Sequence, residues 1–188
     1  MKRGLVSSII INLIFLCGNL IPAQAQKNTA NKPDPNLVNA IIQTIRTEFK
    51  DFDWNEIKKD ITYKYTEVDL DKDGIKETLV SIQEGFPCNN RHCPVYIYQK
   101  KGKNYRFISY IFTSRGELEV ALLPNINKGW FNIAALVFTY EPREIAWRVF
   151  KFDGSKYVIT SQKLNSTPKQ IILRDTSGSL FNFVNQKR

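Results

Sequence analysis

The chain has 188 residues, with 27 basic and 18 acidic side chains, one histidine, three cysteines and a formal net charge of +9. Hydrophobic residues make up 43% and aromatic residues 12%, which excludes a disordered polar chain and calls for a packed core. The basic residues are dispersed, so the positive charge gives solubility and a loose attraction to anionic polymers but no nucleic-acid site.

The first segment reads as an export signal. Met1-Lys2-Arg3 is a short charged start, residues 5–20 are largely Val, Ile, Leu and Phe, and Ala23-Gln24-Ala25 is a small-x-small cleavage site. The expectation is a signal peptide over 1–25 and a periplasmic or secreted protein with no stable membrane anchor after cleavage. The apolar run is short of the ~20 residues that a span needs. Cys17 follows Phe15-Leu16 and lacks the small residue that a lipoprotein signal requires. Loss of Lys2 and Arg3 leaves 25 basic against 18 acidic residues, a net charge of +7. The partners this suggests are an extracytoplasmic protein or an anionic polymer, and no nucleic acid.

Residues 26–34 are polar and aperiodic and read as a flexible leader, with a single α+β domain expected over 35–188. Asp34-Pro35 pairs an N-cap with Pro at the first helical position. Leu37, Val38, Ile41, Ile42, Ile45 and Phe49 then form one stripe at helical spacing, predicting a helix to 49 or 50. Asp53 caps a second short helix that carries Trp54 and Ile57 on one face. From Ile61 the pattern alternates. Strands are predicted from 61 to 68, then over 77–83, 94–99, 105–112, 117–123, 131–140, 144–152 and 157–162, with a final pair near 170–174 and 180–184. Asp153-Gly154 is a two-residue hairpin signal, and Gly102-Lys103-Asn104 and Ser114-Arg115-Gly116 read as turns. Short links require antiparallel pairing, since parallel crossovers need a dozen or more residues. The expected fold is α+β: an N-terminal helix packed on one curved, mainly antiparallel sheet of about seven to nine strands.

The stretch Asp69-Leu70-Asp71-Lys72-Asp73-Gly74-Ile75-Lys76-Glu77 carries the most chemistry. Carboxylates at alternate positions followed by Gly let a tight turn point several oxygens inward, and Ca²⁺ takes six to eight oxygen ligands. The candidate ligands are the side chains of Asp69, Asp71, Asp73 and Glu77 with the carbonyl of Ile75, and Ca²⁺ is the expected cofactor, in a structural role. An EF-hand is excluded, because its twelfth loop position falls on Val80 and the flanks read as strands. The spacing resembles the Asp-x-Asp-x-Asp-Gly-x-x-Asp/Glu loop of the integrin-type FG-GAP and VCBS repeats, matched here by Asp69, Asp71, Asp73, Gly74 and Glu77. That resemblance implies a Ca²⁺ loop within a β-hairpin. It covers about a dozen residues and occurs once, so the family's propeller is not implied. The chain is similar in texture to secreted bacterial proteins of unassigned role that carry one such loop.

Cys88 and Cys93 bracket a six-residue segment, and in an oxidising compartment they are expected to form a disulfide. A closed zinc site needs four ligands, and His92 is the only histidine; it is expected on a surface loop. No nucleophile elbow, phosphate loop or His-Glu-x-x-His motif is present. Trp147 lies in a run that is apolar on both sides and is expected in a buried central strand. The reading is an exported binding or interaction module rather than an enzyme. The alternatives are a small hydrolase of cell-wall or extracellular polymer using Glu84 and a second carboxylate, and an enzyme inhibitor that presents the Cys88–Cys93 loop.

Overall fold

The computed structural model describes residues 33–176 and 179–184. The segment 1–25 and residues 26–32 of the leader lie outside the described residues.

Helix α1 spans Pro35–Glu48, and the Asp34 side chain accepts from the Asn36 N–H at 2.9 Å, as the capping pattern requires. Helix α2, Trp54–Ile57, is capped in the same way by Asp53. Among the described residues ten strands follow: β1 Thr62–Val68, β2 Glu77–Glu84, β3 His92–Lys101, β4 Asn104–Ser114, β5 Glu119–Asn127, β6 Trp130–Tyr140, β7 Arg143–Phe152, β8 Tyr157–Leu164, β9 Gln170–Arg174 and β10 Phe181–Asn182. Among the described residues no helix is long and apolar enough to cross a membrane.

The combination of helix and antiparallel sheet is as expected, but the single sheet is not. The strands form two five-stranded sheets, ordered β10-β1-β2-β3-β4 and β8-β7-β6-β5-β9. The division falls at Ser114-Arg115-Gly116, read from the sequence as an ordinary turn. Gly116 has φ of +79° and Glu117 makes one bridge to Ser114, after which β5 pairs with β6 and β9. Turn chemistry fixes only local backbone geometry, and the choice of sheet is made by the apolar residues that follow. The Asp153-Gly154 hairpin is present with a four-residue link, in which the Asp153 carboxylate accepts from the N–H groups of Ser155 and Lys156.

The sheets face one another across the largest core. Val68, Leu79, Val95, Ile97 and Ile111 from the first sheet pack with Val120, Leu122, Ile133, Phe150 and Leu173 from the second. The opposite face of the first sheet is covered by α1, where Leu37, Ile41 and Ile45 pack on Tyr63, Val80, Tyr96 and Tyr98. Alternation sends Leu79 to one core and Val80 to the other, which is why β2 is buried along most of its length. Trp147 is buried as expected, on the outer face of the second sheet beside Ala121 and Ala134, while Phe150 faces the inter-sheet core.

Gly85 ends the β1–β2 hairpin with φ of +99°, and a Cβ there would lie 2.8 Å from the Asp60 carbonyl oxygen and from Ile61 Cα. At Gly102, also at positive φ, a Cβ would meet open space. Gly85→Ala is therefore expected to cost more than about 2 kcal/mol, against about 1 kcal/mol for Gly102→Ala. Urea unfolding of the two variants checks this, and equal losses would contradict the close approach at Gly85.

Candidate metal centre

The acidic stretch is the turn between β1 and β2, and the strand register sets Val68 opposite Glu77. Lys72 and Gly74 take positive φ, +64° and +84°, which curls the chain back on itself. Asp69 Oδ1 accepts from the Lys72 N–H at 2.8 Å and Oδ2 from the Gly74 N–H at 3.2 Å. Asp73 Oδ1 accepts from the Ile75 N–H at 2.7 Å. Asp71 accepts from the Asp73 N–H at 3.2 Å and, through its other oxygen, from Gln99 Nε2 at 3.4 Å. Arg106 in turn donates to Gln99 Oε1 at 2.8 Å, so β3 and β4 hold the amide that faces Asp71.

Asp69, Asp71 and Glu77 each present a carboxylate oxygen, and the three oxygens lie within 4.8 Å of one another. Asp73 stands outside that triad, although its charge adds to the repulsion on both Asp71 and Glu77. The Ile75 N–H is turned to Asp73, and its side chain is exposed.

Glu77 is the distinctive member. It is fully buried, its Oε2 accepts from the Leu70 N–H at 2.9 Å, and its Oε1 has no hydrogen-bond partner. Leaving a buried carboxylate oxygen without a partner is costly unless a proton or cation meets it. Burial pushes the Glu77 carboxyl from 4.5 up to about 7; the Leu70 N–H opposes the rise, and the charges of Asp71, Asp73 and Asp69 add to it. Asp71 is also raised, first by desolvation and then by Asp73 and Asp69.

The turn is anchored to the second sheet. Leu70 is buried in the inter-sheet core, and its carbonyl accepts from the Phe131 N–H at 2.8 Å. Tyr157 donates to the Phe131 carbonyl at 2.7 Å, and Lys72 Nζ lies 4.8 Å from the centre of the Phe131 ring. Sequence reasoning missed Leu70, Phe131 and Gln99. Leu70 did carry a signal, being an apolar residue inside a polar turn; Gln99 and Phe131 carried none.

Cys88 and Cys93 form a disulfide with a Cα–Cα distance of 4.3 Å. His92 is not the surface loop residue expected. It opens β3, half-buried, with Nε2 2.9 Å from the Phe138 carbonyl oxygen and its ring edge-on to Phe112. Arg91 lies over the Phe138 ring at 4.5 Å, so the Cys loop is tied to β6 through two of its residues, and Asn89 and Asn90 are exposed at its tip. Glu84 is exposed and shares an open cavity of about 350 Å³ with Asp175, which is also exposed. Neither has the buried setting that tunes a general acid.

Comparison with protein-family models, with curated proteins and with solved structures finds no match. The acidic turn therefore stands on its own geometry.

A pH dependence follows from Glu77. Its carboxyl is raised in the folded state, so between pH 4.5 and about 7 the folded protein binds this proton more tightly than the unfolded chain does. In excess chelator this contribution is full at low pH and is lost as the pH rises through about 7, on the order of 3 kcal/mol in all. Urea unfolding across that range checks it, and Glu77→Gln is expected to flatten the profile.

Proposed function

We propose that this chain is an exported binding module whose β1–β2 turn takes up a Ca²⁺ ion as a structural clamp. The observation that carries the reading is the Glu77 carboxylate: fully buried, unpartnered at Oε1, and within 4.8 Å of the Asp69 and Asp71 carboxylates. Hydrogen bonding within the turn accounts for the aspartates, since Asx turns of this kind need no metal. It does not account for Glu77, which the chain desolvates beside three other acids. A hard divalent cation supplies the missing counter-charge and prefers oxygen donors. Asp73 and backbone carbonyls would complete the shell, as the FG-GAP and VCBS-like spacing suggests.

The role proposed is structural, because the turn is tied through Leu70 and Phe131 to the opposite sheet. An ion at this hinge offsets repulsion among the carboxylates and holds the two sheets in register with each other. Export is supported by the charged, apolar and small-residue pattern of 1–25 and by the disulfide, which persists in oxidising compartments. Extracellular Ca²⁺ modules typically bind at ~10⁻⁴–10⁻³ M, which suits a site built from one short turn. The excess of positive charge favours an anionic polymer or an acidic extracytoplasmic protein as the partner.

Thermal melts in millimolar Ca²⁺ and in excess chelator test the reading. Free Ca²⁺ at about one to ten times its dissociation constant is expected to add about 0.4–1.4 kcal/mol, a rise of up to a few degrees. Asp71→Asn should lose the rise. Glu77→Gln should lose it too, while matching or exceeding the wild type in chelator near neutral pH, because it removes the buried charge. Indistinguishable wild-type melts in Ca²⁺ and chelator would reduce the turn to a metal-free hairpin.

A further inference from the structure

A second site lies on the far side of the first sheet, away from the acidic turn. Helix α1 packs on Tyr63, Val80 and Tyr96 and runs beside the sheet's last strand, β4, whose Tyr105 joins the same apolar cluster. Between the helix and that strand is an open groove of about 460 Å³, a volume in the range of small-molecule sites. Four aromatic side chains from β3 and β4 line it: Tyr98, Tyr105, Phe107 and Tyr110. Phe107 is 42% exposed and Tyr110 50%, so two large rings are left open to solvent. The rings do not lie flat. Phe107 meets Tyr98 at a centroid distance of 5.8 Å with 64° between the planes, and meets Tyr96 at 6.1 Å and 68°. Neighbouring rings thus stand at steep angles to one another along the groove.

The charge of the groove runs against that of the protein. The chain carries 27 basic residues, yet no basic side chain lines the groove, and its one charged lining group is the Glu48 carboxylate. The Tyr96 hydroxyl donates to Glu48 Oε2 at 2.7 Å and fixes that carboxylate beside the rings. At one end, the Tyr105 hydroxyl donates to Asp34 at 3.2 Å, which adds a second acid nearby. Lys100 Nζ lies 5.8 Å from the Tyr105 ring centre, and it does not line the groove. At the floor, the Tyr98 hydroxyl is buried beside the Thr44 hydroxyl, which donates to the Ala40 carbonyl at 3.0 Å.

We propose that this groove binds an organic ammonium ion, with its alkyl groups against the rings of Tyr98, Phe107 and Tyr110 and its charge beside Glu48. Aromatic faces attract cations through their quadrupole, most strongly where water is displaced, and quaternary ammonium groups are held in this way. An anionic ligand would meet the Glu48 carboxylate in a lining that holds no basic side chain. A neutral sugar would stack on one flat ring and draw on several convergent hydrogen-bonding groups, whereas this groove offers steeply inclined rings and a carboxylate. The site does not depend on the metal reading, since it lies across the sheet from the acidic turn.

The test is a titration of the purified protein with choline and with 3,3-dimethyl-1-butanol, its uncharged carbon isostere, read by the tyrosine ring resonances in NMR. It is run in Ca²⁺ and again in chelator, so that loss of metal binding and loss of ligand binding are seen separately. Choline is expected to bind in both conditions, and the isostere roughly tenfold or more weakly. Tyr110→Ala and Glu48→Gln should each weaken choline several-fold without moving the melting temperature, because Tyr110 is half exposed and glutamine still accepts from Tyr96. Equal affinity for choline and the isostere would overturn the proposal, as would failure of choline to saturate in the millimolar range. Binding of a methyl glycoside with choline silent would also overturn it and would make the groove a carbohydrate site.

Discussion

The hydrogen bond from the Leu70 amide to the buried Glu77 carboxylate ties the β1–β2 turn to the inter-sheet core and to β6. The Leu70 side chain fills the space between the sheets, its carbonyl accepts from β6, and its amide closes the β1–β2 turn. Burial of a leucine is worth about 2 kcal/mol and a hydrogen bond to a charged group about 1.5–3 kcal/mol. Against these stands the desolvation of a carboxylate whose second oxygen has no partner. The turn thus couples the packing of the sandwich to the charge state of one acid. Any group that neutralises Glu77, whether proton or cation, acts on the stability of the whole assembly through Leu70.

The first sheet works on both faces, and this shapes everything around it. One face gives aliphatic side chains to the inter-sheet core; the other gives tyrosines to the helix. Tyrosine suits the second face because its ring packs against α1 while its hydroxyl reaches a polar group at the helix border, as Tyr96 reaches Glu48 and Tyr105 reaches Asp34. Helix α1 runs beside β4, yet it leaves Phe107 and Tyr110 of that strand open along the groove between them. The acidic turn and the groove therefore sit on opposite faces of the same sheet.

Much of the local structure was legible in the residues. Asp34-Pro35 marked the start of α1, the 3.6-residue stripe marked its buried face, and alternation marked the strands closely. The Cys88–Cys93 pairing and the acidic hairpin turn were also readable, because both depend on groups a few residues apart. The division into two sheets was not legible. Short links at 102–103, 115–118 and 153–156 look alike in composition, yet only the second leads out of one sheet into the other. His92 was misplaced for a similar reason: its partner, the Phe138 carbonyl, lies 46 residues away on the other sheet.

By itself the sequence determined the helix caps, the strands, the reversal at Gly74 and the supply of carboxylates at 69, 71, 73 and 77, all of which follow from backbone preferences and side chains within a few residues. Only the tertiary structure decided which of those carboxylates come together, and that Glu77 is buried with one oxygen unpartnered. It also decided that Leu70 carries the turn into the core and that four aromatic rings line one groove with a carboxylate of α1. These properties depend on desolvation, and desolvation is set by what the rest of the chain brings alongside: β6 against the turn, and α1 beside β4. A residue's own neighbours in sequence do not encode it.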